Sequence, residues 1–293
     1  GEVPRFQNPG YAEIKPGTFR DAYPSTTAAG HGTFDEVFVL TNERCGKQFE
    51  EFARRAKEAG LRFTKVVVTP SKAVSLEDPP IEIRDKEALG HAKESKPALA
   101  LLRKQVGYTF THMRVWNEVV VKKRQRVLVV DDTLFPKEKL LRTWPDLFNW
   151  VDQESVAGAQ PWHFMFFRRK ILQEDWDAKN ESFWSGQEEA WSPNPKLNHP
   201  VVRAKPSYGA GFYALSLQGA KWMLEHFNAY QAPLDVQISM LQREFPRDFI
   251  ALSACNNDEP APFCPEIVAE ISSSAQGSYD CVWRRMQEQQ VAK

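Results

Sequence analysis

Two adjacent acids, Asp131 and Asp132, follow the apolar run at 127–130. This run is rich in β-branched residues, which predicts a strand buried on both faces, with the two carboxylates at its C-terminal end. Adjacent negative charges repel, and a buried charge is costly unless it is paired or bound to a metal. Ligands of open parallel sheets bind beyond the carboxyl ends of the strands. The acidic pair is therefore the first candidate site.

The residues alone leave three interpretations open. One is a turn in which the Asp side chains accept nearby backbone N–H groups. Another is a magnesium-dependent phosphatase of the haloacid dehalogenase class with Asp131 as nucleophile. That class uses a D-x-D-x-T spacing, whereas adjacent residues of a strand point to opposite sides. The third is a nucleotide-sugar site, in which a divalent cation on the acids bridges two phosphates and stabilises the leaving diphosphate.

Strands and helices must alternate to position these acids. A strand at 37–40, a helix at 47–60 and a strand at 62–69 form a βαβ unit. A helix over 98–124, which Thr109 or Thr111 would cap, leads into the strand before the acids. The alternation predicts an α/β fold with a mostly parallel sheet. The remaining predictions are a loop at 70–97, a strand at 163–167, a functional loop region at 172–200, a strand at 211–216 followed by a helix that Ser216 caps, a short helix at 234–242 and a strand at 248–253.

Composition narrows the class of function. The chain has 38 basic and 38 acidic residues, so its zero net charge argues against a broad grip on nucleic acid or an anionic membrane. No apolar run approaches the roughly 20 residues that span a bilayer. The four cysteines form no CxxC pair, which argues against zinc, and three cluster near the C-terminus, where a disulfide could form. With the sequon at Asn180, they favour a secretory compartment.

The chain begins at Gly1 rather than Met, which we interpret as a trimmed or processed form, so that a targeting segment could be missing from this sequence.

Four segments in order resemble the family 25 glycosyltransferases, the group that contains lipooligosaccharide and collagen galactosyltransferases. Residues 37–61 resemble its opening strand, N-L-x-R-like turn and helix. Residues 106–135 resemble its G-x-x-x-S-H-x-x-x-W helix and the following L-E-D-D strand end. Residues 209–224 are similar to its G-x-x-Y-x-[IL]-S-x-x-G-A-x-x-L segment, and residues 233–238 to P-[IV]-D-x-x-[IL].

The resemblance implies a GT-A type αβα sandwich with a mostly parallel central sheet. It implies inverting transfer of a hexose, galactose favoured, from a UDP-sugar to a hydroxyl of a glycan or glycoprotein. The Golgi lumen is the expected compartment, or the cytoplasm if the source is bacterial. The expected organisation is an extended arm at 1–34, one catalytic domain at 35–275 with a Rossmann-like nucleotide-binding half at 35–135 and an acceptor-binding half at 136–275, and a tail at 276–293.

The resemblance also assigns the acids. Asp131 and Asp132 match the last two residues of the family's E-D-D motif, a DXD-like motif. Asp132 would bind Mn²⁺ or Mg²⁺, and Asp131 would assist the metal and orient the ribose or the sugar. The first acid of the motif is Val130 here, a departure that puts metal use in question. Basic side chains could take over the role of the metal.

Further positions carry over as cofactor-binding residues. Thr41, Asn42 and Arg44 fall in the turn that contacts the base and ribose in the family, although Thr41-Asn42 stands where the family has Asn-Leu. His112 matches the histidine of the Ser-His motif and could bind a diphosphate oxygen near a helix N-terminus. A solvated surface arginine and a structural histidine are the alternatives for Arg44 and His112.

Asp235 matches the acid of the P-[IV]-D motif and is the expected general base, because inverting transfer needs one carboxylate to accept the proton of the acceptor hydroxyl. Its alternative role is to cap the helix that follows. Gly209 and Gly211 could let the backbone approach the sugar, or they could be ordinary turn glycines. A protein that keeps the fold but has lost catalysis, acting as a binding or scaffold module, is the alternative that Val130 favours.

Overall fold

In the computed structural model, the described residues fold around one central sheet of nine strands. Along the sheet the strands lie in the order β1 Phe19–Ala22, β3 Thr64–Val67, β2 Glu36–Thr41, β5 Arg126–Asp131, β12 Phe212–Ser216, β7 Phe164–Phe166, β14 Ala251–Ser253, β10 Val201–Arg203 and β9 Ala190–Ser192. Residues described are 19–22, 33–42, 46–157, 161–171, 190–192, 201–254 and 268–271.

Strand pairing divides the sheet into regions. In the part that precedes the acids, β3, β2 and β5 pair in parallel, and β12 then pairs antiparallel with both β5 and β7. Parallel pairing returns between β7 and β14.

Short strand pairs and helices complete the described part of the chain. The pairs are β4 Glu82–Ile83 with β13 Ala229–Tyr230, β6 Leu134–Pro136 with β15 Val268–Glu270, and β8 Lys170–Ile171 with β11 Ser207–Tyr208. The helices are α1 Gly46–Ala59, α2 Lys86–Glu94, α3 Lys96–Val121, α4 Glu138–Ala157, α5 Leu217–His226 and α6 Leu234–Glu244.

Helices cover both faces of the sheet and give two hydrophobic cores. The alternation within β5 shows the division, because Val127 and Val129 belong to one core and Leu128 and Val130 to the other. Helices α3, α5 and α6 contribute to the first core, and α1 and α4 to the second. The result is the αβα arrangement that the family resemblance implied, and the α/β class is confirmed. The described sheet is mixed rather than mostly parallel, because three of its strand pairings are parallel and five are antiparallel.

The prediction of a loop at 70–97 is wrong in its second half. Helix α2 lies there, and the Asp85 side chain caps it by accepting the N–H of Ala88 at 2.9 Å. The prediction that Thr109 or Thr111 caps the next helix is also wrong. Helix α3 begins at Lys96, after the cap residue Ser95, with a proline in its first turn. Proline at this position is typical of a helix start, and that signal was missed.

Helix α4 had no counterpart in the sequence predictions. Pro145 lies within it, and an internal proline removes one helical hydrogen bond and normally indicates a break. The helix persists because Leu140, Trp144 and Phe148 recur at helical spacing and are buried in the second core. Tertiary packing therefore outweighs the local cost of the proline.

Some predictions fall outside the described residues. Arg44, the four cysteines, the sequon at Asn180, the tail at 276–293 and most of the 172–200 region lie there, so the roles assigned to them stay predictions. Among the described helices, none has the length and apolar character needed to cross a bilayer.

Candidate functional site

The two acids lie where β2 and β5 end side by side. In the parallel register Leu40 is opposite Asp131, and the N–H of Asp132 donates to the Leu40 carbonyl at 2.9 Å. On the other side, the N–H of Asp131 donates to the carbonyl of Gly211 at 2.8 Å. The acidic pair thus stands at the carboxyl ends of parallel strands and against the segment that leads into β12, as the sequence predicted.

Asp131 points toward α3. The hydroxyl of Tyr108 lies 3.1 Å from each of its two carboxylate oxygens and donates a hydrogen bond to them. Burial raises the pKa of Asp131 to about 8, and the charge of Asp132 adds to this, whereas the Tyr108 hydroxyl and the charge of Arg168 act in the opposite sense. The carboxyl group is therefore held tightly in a region that disfavours its ionised form.

Asp132 lies in a different environment, on the side of β2 and β3. It is only 5% exposed, and burial raises its pKa to about 6 although a hydrogen bond with Thr41 and the charge of Lys65 oppose the shift. Its Oδ2 atom is buried and has no hydrogen-bond partner among the described residues. A buried carboxylate oxygen without a donor fits a cation or a ligand hydroxyl.

The two carboxylates face opposite sides of the sheet. Tyr108, the partner of Asp131, packs in the first core, whereas Lys65 stands near Asp132 and places its Nζ 4.1 Å from the ring centre of Phe49 in the second core. No group of three or more metal-binding side chains occurs among the described residues. A cation on Asp132 would therefore need further oxygens from the ligand or from water.

Asp235 is in the first turn of α6 and is half-buried. The helix has Pro233 at its N-cap, so the alternative role of Asp235 as the cap residue is wrong. Its Oδ1 accepts the N–H of Val236 at 3.0 Å. The charge of Asp235, like that of Asp131, contributes to the raised pKa of Tyr108, which places both acids around one tyrosine. The structure thus brings the predicted base to the Asp131 side of the sheet.

His112 is not near a helix N-terminus, and that part of the prediction is wrong. It lies in the interior of α3, is fully buried, and its Nδ1 is 2.8 Å from the Tyr213 hydroxyl. Burial lowers the pKa of His112 to about 3, so the imidazole is neutral at pH 7. The ring packs between Tyr108 and Tyr213 rather than at a helix end, which favours the structural alternative, whereas its buried Nε2 has no hydrogen-bond partner among the described residues.

The residues of the turn after β2 are only partly described. Thr41 is buried at the end of the strand and contacts Asp132, and Asn42 follows it, half-buried. The structure therefore brings Thr41 to the acidic pair.

Gly209 and Gly211 both owe their identity to contacts within the protein. Gly209 has a φ of +134°, and a Cβ there would lie 2.5 Å from the carbonyl oxygen of Arg168. A Cβ at Gly211 would lie 2.9 Å from Oδ2 of Asp131. Gly211 thus leaves room for the Asp131 carboxylate, and the predicted approach of either glycine to a sugar stays a prediction.

Gly209→Ala is expected to lower the free energy of unfolding by about 2–3 kcal/mol, because alanine disfavours this φ and its Cβ would meet backbone atoms. Denaturant titration measures the change. Gly90→Ala is the matched control, since Gly90 is inside α2 with no atom near the added Cβ, and it is expected to be neutral or to stabilise by up to about 1 kcal/mol. Equal losses in the two variants would contradict the prediction.

Three residues around the acids were missed from the sequence. Tyr108 follows the first glycine of the segment at 106–135 that resembles a family motif, so that segment was the only signal for it. Lys65 and Arg168 affect the pKa values of Asp132 and Asp131, yet each follows or interrupts an apolar run as many surface residues do. Lys65 lies in β3 and Arg168 follows β7, so only the assembly of the sheet brings these two residues near the acids.

Comparison with known proteins supports the resemblance of the four segments. No protein-family profile matches the chain. The chain is 23% identical to procollagen galactosyltransferase 1 of Danio rerio over 72% of its residues, and 23% identical to procollagen galactosyltransferase 2 of Mus musculus over 64%. It is 26% identical to a glycosyltransferase 25 family member of Aedes aegypti over 49%.

The aligned parts make up 31%, 27% and 21% of these three relatives, so the chain spans about a third or less of their length. Within the aligned part, the sequence similarity to these relatives and the αβα architecture of the described residues both point to the same family resemblance. The chain is therefore similar to family 25 glycosyltransferases and has an α/β fold compatible with their GT-A type.

Proposed function

We propose that the chain is an inverting glycosyltransferase that moves a hexose, galactose favoured, from a UDP-sugar to a hydroxyl of a glycan or glycoprotein. The observation that carries the proposal is the acidic pair at the carboxyl ends of β2 and β5, where a buried oxygen of Asp132 has no hydrogen-bond partner in the part of the chain that the structure describes. Similarity to galactosyltransferases supports the same reaction class.

Each acid has a separate role in this proposal. Asp132 holds Mn²⁺ or Mg²⁺, which would stabilise the negative charge of the leaving diphosphate when bound. Asp131 orients the ribose or the sugar from the opposite face of the sheet. Asp235 accepts the proton of the acceptor hydroxyl as that hydroxyl attacks the anomeric carbon. Thr41 stands beside Asp132 at the strand end, where its hydroxyl opposes the rise in the pKa of Asp132.

The donor set fits a hard cation, although it is small. Carboxylate oxygens are the ligands that Mn²⁺ and Mg²⁺ prefer, and the unpartnered Asp132 oxygen is one of them. Lys65 and Arg168, close enough to change the pKa values of the two acids, could also attract the diphosphate. The effect of Mn²⁺ on UDP binding therefore has to be measured.

The surroundings of the acidic pair give little support to the two alternatives, an inactive scaffold and a phosphatase. Val130 is fully buried in the second core, so an acid there would sit among apolar side chains, and its absence is weak support for a catalytically inactive protein. The phosphatase alternative needs an Asp131 nucleophile with a nearby second acid. Here the Tyr108 hydroxyl contacts both oxygens of Asp131, and Asp132 faces the opposite side.

Isothermal titration with UDP, with and without Mn²⁺, tests the proposal. We expect micromolar binding that Mn²⁺ strengthens, and we expect Asp132→Asn to abolish most of that strengthening, weakening binding in Mn²⁺ about tenfold or more. Asp146→Asn is the control, because Asp146 is an exposed acid on α4. Absence of UDP binding in both conditions would refute the proposed function and favour a scaffold.

A screen of nucleotide sugars for hydrolysis then identifies the donor. Release of UDP from UDP-galactose faster than from UDP-glucose would support the choice of sugar.

A further inference from the structure

The contact between Tyr108 and Asp131 is symmetric and partly buried. One phenolic hydroxyl lies 3.1 Å from both carboxylate oxygens, and Tyr108 itself is only 9% exposed. A hydroxyl in this position restricts rotation of the carboxylate, because turning it away from the phenol would leave a buried polar group without its partner. None of the roles assigned above uses Tyr108.

The aromatic ring of Tyr108 packs against a hydrogen-bonded group of buried side chains. His112 packs edge-on against it with ring centres 4.5 Å apart, and the His112 Nδ1 is bonded to the Tyr213 hydroxyl at 2.8 Å. Tyr213 also accepts the indole N–H of Trp116 at 2.9 Å and stacks on Phe164. Tyr108, His112 and Trp116 are four residues apart on α3, so one face of the helix supports the hydroxyl.

Asp131 is also restricted by the backbone segment that precedes β12. Its N–H is bonded to the Gly211 carbonyl, and the space beside its Oδ2 exists only because residue 211 has no Cβ. The carboxylate is therefore held between a hydroxyl from α3 and the backbone before β12. A side chain with so few accessible orientations is suited to fixing the position of a bound hydroxyl group.

We propose that Tyr108 is a positioning residue for the donor: its hydroxyl orients the Asp131 carboxylate toward the ribose or sugar hydroxyls of the UDP-sugar. The inference rests on the proposed function, since it assigns Asp131 to the donor. It adds that the geometry of Asp131 depends on α3 and is not set by the strand end alone.

Tyr108→Phe tests this step, because it removes the hydroxyl and retains the ring that packs on His112. Tyr230→Phe is the matched control, since Tyr230 is buried and donates its hydroxyl to Gln105 at 2.8 Å. Both variants remove the hydroxyl of a buried tyrosine together with its hydrogen bond, and they are expected to lose similar stability. Titration with UDP-galactose should show about five- to tenfold weaker binding for Tyr108→Phe and unchanged binding for Tyr230→Phe.

The double variant Tyr108→Phe/Asp131→Asn shows whether Tyr108 acts through Asp131. If it does, adding Tyr108→Phe to Asp131→Asn weakens UDP-galactose binding no further. Wild-type affinity in Tyr108→Phe, equal weakening in Tyr230→Phe, or additive losses in the double variant would each overturn the positioning role and leave the proposed function intact. A wild-type protein that binds neither UDP nor UDP-galactose would overturn both.

Discussion

Asp235→Asn is expected to slow sugar transfer by about 10²–10⁴-fold while UDP-galactose binding stays within about twofold of wild type. Asparagine has nearly the same shape as aspartate and cannot accept the proton of the acceptor hydroxyl. Asp235 is in the first turn of α6, where Pro233 is the N-cap residue, so the substitution does not remove a helix cap. Single-turnover transfer to an acceptor glycan and isothermal titration with UDP-galactose measure the two quantities separately.

Asp85→Asn is the matched control for this prediction. Asp85, like Asp235, has a charge that contributes to the raised pKa of Tyr230, so both acids lie near the same tyrosine. Asp85 caps α2, and asparagine caps a helix about as well as aspartate. Transfer should therefore continue at a near wild-type rate in Asp85→Asn. A wild-type rate in Asp235→Asn would exclude Asp235 as the base.

The elements around the acidic pair were largely predictable because local and long-range signals agree there. The apolar runs before Thr41 and Asp131 are continuous, and the amphipathic α1 between β2 and β3 requires a parallel crossover. The helix that Ser216 caps was also predicted, and the Ser216 side chain accepts the N–H of Gly219 at 2.9 Å as expected. In these segments the period of the apolar residues alone determines which face is buried.

The partners of the acids were not predictable, since they depend on which face of α3 meets β5. Tyr108 and Asp131 are 23 residues apart, and Tyr108 and Asp235 are farther apart still. The helix was also predicted to begin too late, which placed His112 near an N-terminus rather than in the helix interior. That error gave His112 the chemistry of a phosphate ligand, whereas its burial makes it part of the support for Tyr108.

His112→Asn is expected to be less stable than wild type at pH 7.5 and to lose that disadvantage as the pH falls. Burial lowers the pKa of His112 to about 3, whereas a histidine of the unfolded chain titrates near 6.5. Between these values the unfolded state binds the extra proton, so this residue lowers the free energy of unfolding by about 1.4 kcal/mol per unit of falling pH. Its contribution to stability is complete above pH 6.5.

Denaturant titrations of both proteins at several pH values measure the difference in unfolding free energy. The gap between wild type and His112→Asn should narrow by about 2 kcal/mol from pH 6.5 to 4.5. Burial also lowers the pKa of His163 and raises those of Asp131 and Asp132, and the acids change stability in the opposite sense. These groups are present in both proteins, so their contributions cancel in the difference.

His91→Asn separates burial from the mere loss of a histidine. His91 is on α2 with 66% of its side chain exposed, so His91→Asn removes a histidine without changing the core, and it should lose far less stability than His112→Asn at pH 7.5. A gap between wild type and His112→Asn that does not change with pH would mean that water or a counter-charge reaches the imidazole in the folded protein. The packing of Tyr108 against a neutral, buried ring would then be wrong, and with it the rigid support that α3 gives to Asp131.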